Sequence, residues 1–143
     1  ISISELISEV SDYMINRLPK QSGIAITNSG DSNITIQGDW VLLRWAVENL
    51  MKNAVDAIGI GNGAVSAIIS KSENGIQLDI TDTGKGINRT EWKNIFQPGY
   101  SSKRRGWGLG LSLTQRIVEE IHGGNIRVLS STPGETIFRL IFP

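Results

Sequence analysis

The 143-residue chain has no cysteine, no net charge and no long apolar run, and each of these absences excludes something. Without cysteine there is no disulfide, no thiolate nucleophile and no cysteine-ligated metal, and such a composition fits a cytoplasmic compartment. Because 14 basic residues balance 14 acidic ones, we expect neither nucleic acid nor an anionic membrane surface as a partner. No stretch approaches the roughly 20 apolar residues that cross a bilayer, and no signal peptide is visible.

What the chain does have is glycine. Its 16 glycines lie mostly in the middle and the C-terminal half, where we therefore expect loops that approach a ligand. Hydrophobic content of 39% and charged content of 20% are ordinary for a globular protein. We expect residues 1–143 to form one domain, and Ile1 in place of a starting methionine is consistent with a piece of a longer protein.

Hydrophobic periodicity predicts three helices. Apolar residues recur at helical spacing over residues 3–18, and again from Trp40 to Gly59 behind a capping Asp39. A third helix is predicted over residues 109–122, where it ends before two glycines.

The remaining apolar stretches alternate with a period of two and predict strands in pairs. Residues 24–36 predict two short strands around a turn, residues 63–82 a hairpin and residues 125–142 a closing pair, while a long loop spans residues 83–107. The order α-ββ-α-ββ-loop-α-ββ favours an α/β sandwich with one mixed sheet.

The second predicted helix is apolar around most of its circumference but carries one polar stripe. Asn49, Lys52, Asn53 and Asp56 fall at positions i, i+3, i+4 and i+7 and therefore share a face. A solvated helix face explains such a stripe, and so does the polar wall of a ligand cavity. In the second case the amide oxygens suit Mg²⁺, which keeps most of its waters while it bridges phosphates, and Lys52 could reach a phosphate oxygen.

Asp82 ends a predicted strand and is followed by Gly84 and Gly86. An ionised carboxylate only accepts hydrogen bonds, and the exocyclic amine of adenine is one donor that fits it. The glycines would let backbone approach a flat ring closely. The same pattern is typical of a tight turn in which the carboxylate bonds its own backbone. Calcium is disfavoured because the D-x-D-x-D ligand spacing is absent.

Residues 104–116 read RRGWGLGLSLTQR and combine alternate glycines with the start of the third helix. A dinucleotide fingerprint needs a third glycine or alanine where Leu111 stands and a strand directly before it, and no P-loop pattern is present. The free N–H groups of a helix start bind anions. Residues 101–105 add two hydroxyls and three cations upstream, so a phosphate cradle and a basic surface loop both stay open.

Four stretches together resemble the ATP-binding catalytic domain of bacterial sensor histidine kinases, within the gyrase, heat-shock chaperone, histidine kinase and MutL ATPase superfamily. ENLMKNAVDA at 48–57 is similar to the asparagine box and DTGKGI at 82–87 to the first glycine box. IFQPGYSSK at 95–103 is similar to the phenylalanine box and GWGLGLSL at 106–113 to the second glycine box. The resemblance covers essentially the whole chain, with the boxes in the family's order.

The resemblance implies a two-layer α/β (α+β) sandwich of the Bergerat type, with a mixed five-stranded sheet packed against three helices. It implies ATP and Mg²⁺ as cofactors, Asn53 as metal ligand and catalytic residue, and Lys103 as a second catalytic residue near the γ-phosphate. Asp82 would bind the adenine amine with the help of Thr136, and residues 88–107 would form the lid. The implied nucleotide-binding positions are Asn49, Asn53, Asp56, Asp82, Gly84, Gly86, Ile87, Ser101, Ser102, Lys103, Gly106, Gly108, Leu109, Gly110, Leu111 and Thr136.

The function implied by the resemblance is transfer of the γ-phosphoryl group of Mg-ATP to a histidine on a separate dimerisation hairpin of the parent kinase, with a response regulator downstream. Residues 1–20 would be the helix that leads in from that hairpin. His122, the one histidine, stands at a helix end, where it is expected to cap carbonyls and not to accept phosphate. The expected location is the cytoplasm, including the cytoplasmic part of a membrane-anchored sensor, without direct membrane contact.

Two other functions stay open, besides an anti-sigma-type serine kinase as a weaker option. Hydrolytic members of the superfamily place a water-activating glutamate four residues before the metal-binding asparagine, but Asn49 stands there, and Glu48 is about 100° around the helix. A non-catalytic nucleotide-binding or dimerisation module is the second. The chain also departs from many relatives in having Asp56 and Ala57 where they carry a basic and an aromatic residue, so Lys103 or Arg105 would supply the cation.

Overall fold

The computed structural model describes residues 1–19, 22–100 and 110–143. Its helices are α1 (Ile3–Arg17), α2 (Trp40–Ile58) and α3 (Gly110–Gln115), and α3 continues as a π-helical segment over Arg116–Ile121. Its strands are β1 (Gly23–Gly30), β2 (Asn62–Ser72), β3 (Gly75–Asp82), β4 (Asn125–Thr132) and β5 (Glu135–Phe142). Two short 3₁₀ turns lie at Arg89–Glu91 and Asn94–Phe96.

The five strands form one mixed sheet in the order β1-β2-β3-β5-β4. β1 runs parallel to β2, and the other neighbouring pairs are antiparallel. The helices cover one face of this sheet, where alternate strand residues such as Val65, Leu78 and Leu140 are buried against them. The predicted sandwich of three helices on a mixed five-stranded sheet is therefore confirmed.

The second strand predicted within residues 24–36 is wrong. The carboxylate of Asp31 accepts the N–H of Asn33 at 2.8 Å, in a local turn directly after β1. The main chain of Ile34 and Ile36 then bonds to that of Ile3 and Ile1, beside the start of α1. Both isoleucines are still buried in the core, which explains why their period-two spacing imitates a strand.

The first two helices bury regular apolar stripes. α1 places Leu6, Val10 and Met14 in the core at a spacing of four residues, and α2 buries six residues on its inner face. α1 is thus part of this domain's core, while its connection to a hairpin stays a prediction. Among the described residues, no helix combines the length and the apolar character needed to cross a membrane.

His122 joins the end of the π-helical segment to the start of α2. Its Nδ1 lies 2.7 Å from the carbonyl oxygen of Ile117 and therefore donates, while its Nε2 accepts the N–H of Asp39 at 3.0 Å. Asp39 in turn caps α2 by accepting the N–H of Leu42. The expected capping role of His122 is confirmed, and it extends to a second helix.

Candidate functional site

A cavity of about 520 Å³ lies between the C-terminal half of α2, the C-terminal end of β3, the N-terminal end of β5 and the start of α3. Its volume is typical of a small-molecule site. Polar groups enter from two sides, with Asn53 and Asp56 from α2 and Asp82 and Thr136 from the strands. The other lining residues are Ala57, Lys85, Gly86, Ile87, Asn88, Glu91, Ile95, Tyr100, Leu111 and Phe138.

Asp82 is both a turn residue and a cavity residue. Its Oδ1 accepts the N–H of Gly84 at 2.8 Å, as in the tight-turn interpretation of the sequence. Its side chain nevertheless lines the cavity, although the residue is only 3% exposed. Burial raises the pKa of Asp82, and the N–H of Gly84 counteracts part of that rise. The turn therefore holds one carboxylate oxygen in place while the residue lines the cavity.

Gly84 brings this turn against the end of α2. A Cβ at position 84 would lie 2.6 Å from the backbone carbon of Ala57, so only glycine fits. The N–H of Lys85 donates to the carbonyl of Ala57 at 3.0 Å, and the N–H of Gly134 donates to that of Gly84 at 2.9 Å. These contacts fix the distance between the strand wall and the helix wall of the cavity.

The polar stripe of α2 divides between two tasks. Asn53 and Asp56 line the cavity, but Asn49 donates from Nδ2 to Oγ1 of Thr114 on α3 at 3.1 Å. A Cβ at Gly110 would lie 2.7 Å from Oδ1 of Asn49, so the two helices touch here. Lys52 pairs with Glu48 at 3.6 Å and does not line this cavity, and its contact with a phosphate stays a prediction.

The chain segment after the first glycine turn forms a further side of the cavity. Phe96 packs edge-on against Phe138 of β5, with ring centroids 6.2 Å apart. This contact anchors the second 3₁₀ turn to the sheet, so that Ile95 lines the cavity. Tyr100 and Glu91 meet at the same side, where burial, followed by the charge of Glu91 and a hydrogen bond to it, raises the pKa of the phenol.

Several sequence-predicted site residues line the cavity, namely Asn53, Asp56, Asp82, Gly86, Ile87, Leu111 and Thr136. Asn49, Gly84 and Gly110 do not line the cavity, and their contact with a nucleotide stays a prediction. Ser101, Ser102, Lys103, Gly106, Gly108 and Leu109 lie outside the described residues.

Other lining residues were not predicted from the sequence, although the positions of some of them relative to the sequence boxes indicated them. Lys85 stands inside the first glycine box, and Ile95 and Tyr100 inside the phenylalanine box. Phe138 follows Thr136 by two residues on β5, so strand alternation points it to the same face. Glu91 carried no recognisable signal, because its approach to Tyr100 depends on how the loop folds.

The oxygen atoms offered by α2 fit a magnesium ion that is carried mainly by phosphates. Mg²⁺ binds through one or two protein oxygens and keeps several waters and substrate oxygens. Asn53 and Asp56 supply such oxygens on one helix face. Within the described residues there is no group of three acidic or histidine side chains that would hold a metal by itself. The donor set thus suits a metal that arrives with its nucleotide.

Fold and cavity together define a two-layer α/β domain with a ligand site between its sheet and its helices. Residues 38–143 match the family model described as histidine kinase-, DNA gyrase B-, and HSP90-like ATPase. The chain belongs to this family, which supports ATP as its ligand. The resemblance seen in the four boxes is confirmed.

Curated relatives are histidine kinases. Sporulation kinase B of Bacillus subtilis is 34% identical over 121 residues, which cover 85% of this chain and 28% of the relative. The sensor histidine kinase ZraS of Escherichia coli is 38% identical over 115 residues, covering 80% of this chain and 24% of ZraS. The chain therefore spans about a quarter of the length of these relatives and corresponds to their catalytic ATPase domain.

Solved structures agree with this assignment. The catalytic domain of histidine kinase ThkA superposes with a TM-score of 0.89 at 24% identity, over 100% of this chain and 93% of that one, which shows the shared fold. The mycobacterial sensor histidine kinase MprB gives a TM-score of 0.85 at 27% identity, covering 100% and 95%. Full-length ShkA in complex with AMPPNP gives 0.81 at 26% identity, covering 100% and 31%.

Proposed function

We propose that the chain binds Mg-ATP in this cavity and, within its parent kinase, supplies the γ-phosphoryl group to a histidine on a separate dimerisation hairpin. The observation that carries the proposal is the placement of Asp82 and Thr136 on one wall and Asn53 and Asp56 on the other wall of a single cavity. ShkA, a similar kinase, is solved with an ATP analogue.

Each wall has its own part in this proposal. Asp82 accepts a hydrogen bond from the exocyclic amine of adenine, and Gly86 and Ile87 shape the pocket around the base. Asn53 holds Mg²⁺ through its amide oxygen. The ion, when bound, supplies charge stabilisation for the phosphates, which is the main requirement of phosphoryl transfer. Lys103 remains the predicted cation at the γ-phosphate.

The contacts of two side chains favour transfer to an external histidine over hydrolysis of ATP or phosphorylation of His122. Glu48 pairs with Arg44 at 3.4 Å and with Lys52 at 3.6 Å and does not line the cavity, so it is badly placed to activate water. Both ring nitrogens of His122 are engaged by backbone groups. His122 is therefore held as a structural residue, and the phosphoacceptor lies elsewhere.

The partners follow from the same proposal. Val41 and Trp45 are exposed on α2, about two turns and one turn before Asn49 respectively, and Leu113 is exposed beside Thr114 on α3. Asn49 bonds Thr114, so these apolar side chains flank the contact between the two helices. We place the phosphoacceptor hairpin of the homodimeric parent kinase against this region, with a response regulator as the later acceptor.

The nucleotide site is tested by calorimetric titration of the chain with ADP and with a non-hydrolysable ATP analogue, each with and without Mg²⁺. We expect both nucleotides to bind. Mg²⁺ should raise the affinity for the analogue more than the affinity for ADP, because the analogue has an additional phosphate for the ion to contact. If neither nucleotide binds, the proposed nucleotide site is refuted.

A second assay separates transfer from hydrolysis. The parent kinase's phosphoacceptor hairpin is purified as a separate chain and mixed with this domain and γ-labelled ATP. Label on the histidine supports a kinase, whereas label released only as phosphate supports a hydrolytic ATPase. Binding without either outcome supports a non-catalytic nucleotide-binding module.

A further inference from the structure

Two neighbouring serines in β4 differ because of a β-bulge. Val128 pairs with Phe138 of β5, but the next pairs are Ser130 with Ile137 and Ser131 with Thr136, so the register shifts by one residue. Without the shift, Ser130 would stand opposite Thr136. Bulges often re-aim a side chain beside a functional site. Here the bulge brings Ser131 to the cavity residue Thr136.

The Ser131 hydroxyl connects the first glycine turn to the base-binding wall. Its Oγ accepts the N–H of Ile87 at 2.8 Å and lies 2.6 Å from Oγ1 of Thr136. Thr136 is 2% exposed, lines the cavity and stands directly opposite Asp82 in the pairing of β3 with β5. Ser131 itself does not line the cavity. Any influence it has on a ligand therefore passes through Thr136.

We propose that Ser131 is a positioning residue that orients the Thr136 hydroxyl and thereby sets the preference of the pocket for a 6-amino purine. The proposal rests on the nucleotide site proposed above. The Oγ of Ser131 already accepts the N–H of Ile87, and either hydroxyl can donate in the contact between Ser131 and Thr136. In the proposed arrangement Ser131 is the donor, which is the direction that leaves the Thr136 hydrogen available to the cavity. Thr136 then directs its own hydrogen into the cavity. The wall consequently presents a donor beside the Asp82 acceptor.

This donor and acceptor pair matches adenine and mismatches a 6-oxo purine. Adenine presents an amino donor next to a ring-nitrogen acceptor, whereas the hypoxanthine of IDP presents a carbonyl acceptor next to an N–H donor. A buried polar group that faces a like partner loses its hydrogen bond and the affinity that depends on it. If Ser131 is removed, Thr136 can turn its hydrogen either way and the pattern is no longer fixed.

The test compares ADP with IDP by calorimetric titration of wild type, Ser131→Ala and the matched control Ser130→Ala. We expect Ser131→Ala to weaken ADP about 3- to 10-fold, the worth of one neutral hydrogen bond. IDP affinity should not fall, because the freed Thr136 hydroxyl can then accept from the ring N–H of hypoxanthine, so the ratio of ADP affinity to IDP affinity falls by at least the same factor. Ser130→Ala leaves both affinities as they are because Ser130 pairs with Ile137, and Ser131→Thr restores ADP binding.

A double-mutant cycle checks the route of the effect. Ser131→Ala made in a Thr136→Val background should not weaken ADP further, because Ser131 acts through the lost hydroxyl. Equal loss of ADP and IDP, accompanied by a lower melting temperature, would mean that Ser131 merely stabilises the turn and would overturn the proposal. An unchanged ratio would overturn it as well. Wild type that binds no ADP refutes the nucleotide site itself, which distinguishes the two failures.

Discussion

The strand wall and the helix wall of the cavity are built differently. On the strand side, the polar groups are tied to the backbone or to each other, as in the bonds from Gly84 to Asp82 and from Ile87 to Ser131. On the helix side, neighbouring positions of one stripe have separate tasks. Asn49 holds α3 while Asn53 and Asp56, one turn further on, line the cavity.

Under the proposed function, this difference divides recognition of the base from phosphoryl transfer. A wall fixed by main-chain bonds loses little freedom when a ligand arrives, so it is suited to recognising a rigid base. A wall of side chains on one helix face is suited to a metal and phosphates, whose positions must change during transfer. Variants that disturb only one wall should therefore separate base affinity from the effect of Mg²⁺.

The largest effect is expected from Asp82→Asn. The amide oxygen can still accept the N–H of Gly84, but the amino group would face the adenine amine, donor against donor. ADP affinity should fall about 10- to 100-fold, which is typical for loss of a hydrogen bond to a charged group. Calorimetry measures this change with and without Mg²⁺.

The matched control is Asp79→Asn on the same strand. Asp79 accepts two bonds from Arg139, at 2.9 and 2.8 Å, away from the cavity. Its replacement should lower the melting temperature and leave ADP affinity almost unchanged. If both variants lost ADP binding equally, Asp82 would have no special role at the base.

A second, smaller effect is expected where the two walls meet. Gly84→Ala puts a Cβ within 2.6 Å of the Ala57 backbone, which cannot move like a side chain. We expect a loss of about 1–3 kcal/mol in the free energy of unfolding, with weaker ADP binding as the turn shifts. Denaturant unfolding gives the first quantity and titration the second.

Gly59→Ala provides the comparison for this variant. Gly59 has φ of +70° but no atom within 4 Å of its would-be Cβ, so its replacement costs only backbone strain. We expect Gly59→Ala to lower the free energy of unfolding and to leave ADP affinity unchanged. A Gly84→Ala variant that binds ADP like wild type would show that the spacing of the walls is not critical.

The two asparagines of α2 should differ in how strongly their replacement affects metal dependence. Asn49→Ala removes the bond to Thr114 and should cost about 1 kcal/mol of unfolding free energy. Asn53→Ala should reduce by about tenfold the affinity that Mg²⁺ adds for the ATP analogue, which is a larger loss of that increment than Asn49→Ala causes. Melting curves and titrations on both variants check this. Identical profiles would contradict the division of the stripe.

Much of the fold could be predicted because it depends on hydrophobic periodicity and on the residues that cap helices and form turns. The caps of α2 at Asp39 and Gly59 and the turn between β2 and β3 follow from local residues alone. The false strand at Ile34 and Ile36 arose because burial beside α1 gives the same period-two pattern as a sheet.

The site was only partly predictable for a similar reason. Motif spacing indicated Asp82 and Asn53, and the nearest partner of Asp82, Gly84, is only two residues away in sequence. It could not indicate Ser131, because a bulge decides which of two adjacent serines meets Thr136. Nor could it separate Asn49 from Asn53, since their different partners come from another helix and from the cavity.

The smallest and most specific effect is a dependence on pH that acts on the strand wall. Burial raises the pKa of Asp82 above its usual 3.8. The contribution of Asp82 to the free energy of unfolding is therefore fully present at pH values below its usual pKa. This contribution is lost as the pH rises through the raised pKa of the folded state. Without nucleotide, Asp82→Asn should melt higher than wild type at neutral pH, and the difference should shrink as pH approaches 3.8.

Nucleotide binding should respond in the opposite sense, since it needs the ionised carboxylate as acceptor. Wild-type ADP affinity should fall as pH decreases through the raised pKa of Asp82, while the weak affinity of Asp82→Asn stays flat. Melting curves and titrations over this acidic range measure both trends. If Asp82→Asn melted below wild type at every pH, burial of the Asp82 charge would not destabilise the nucleotide-free fold. The charged carboxylate would then stabilise the strand wall.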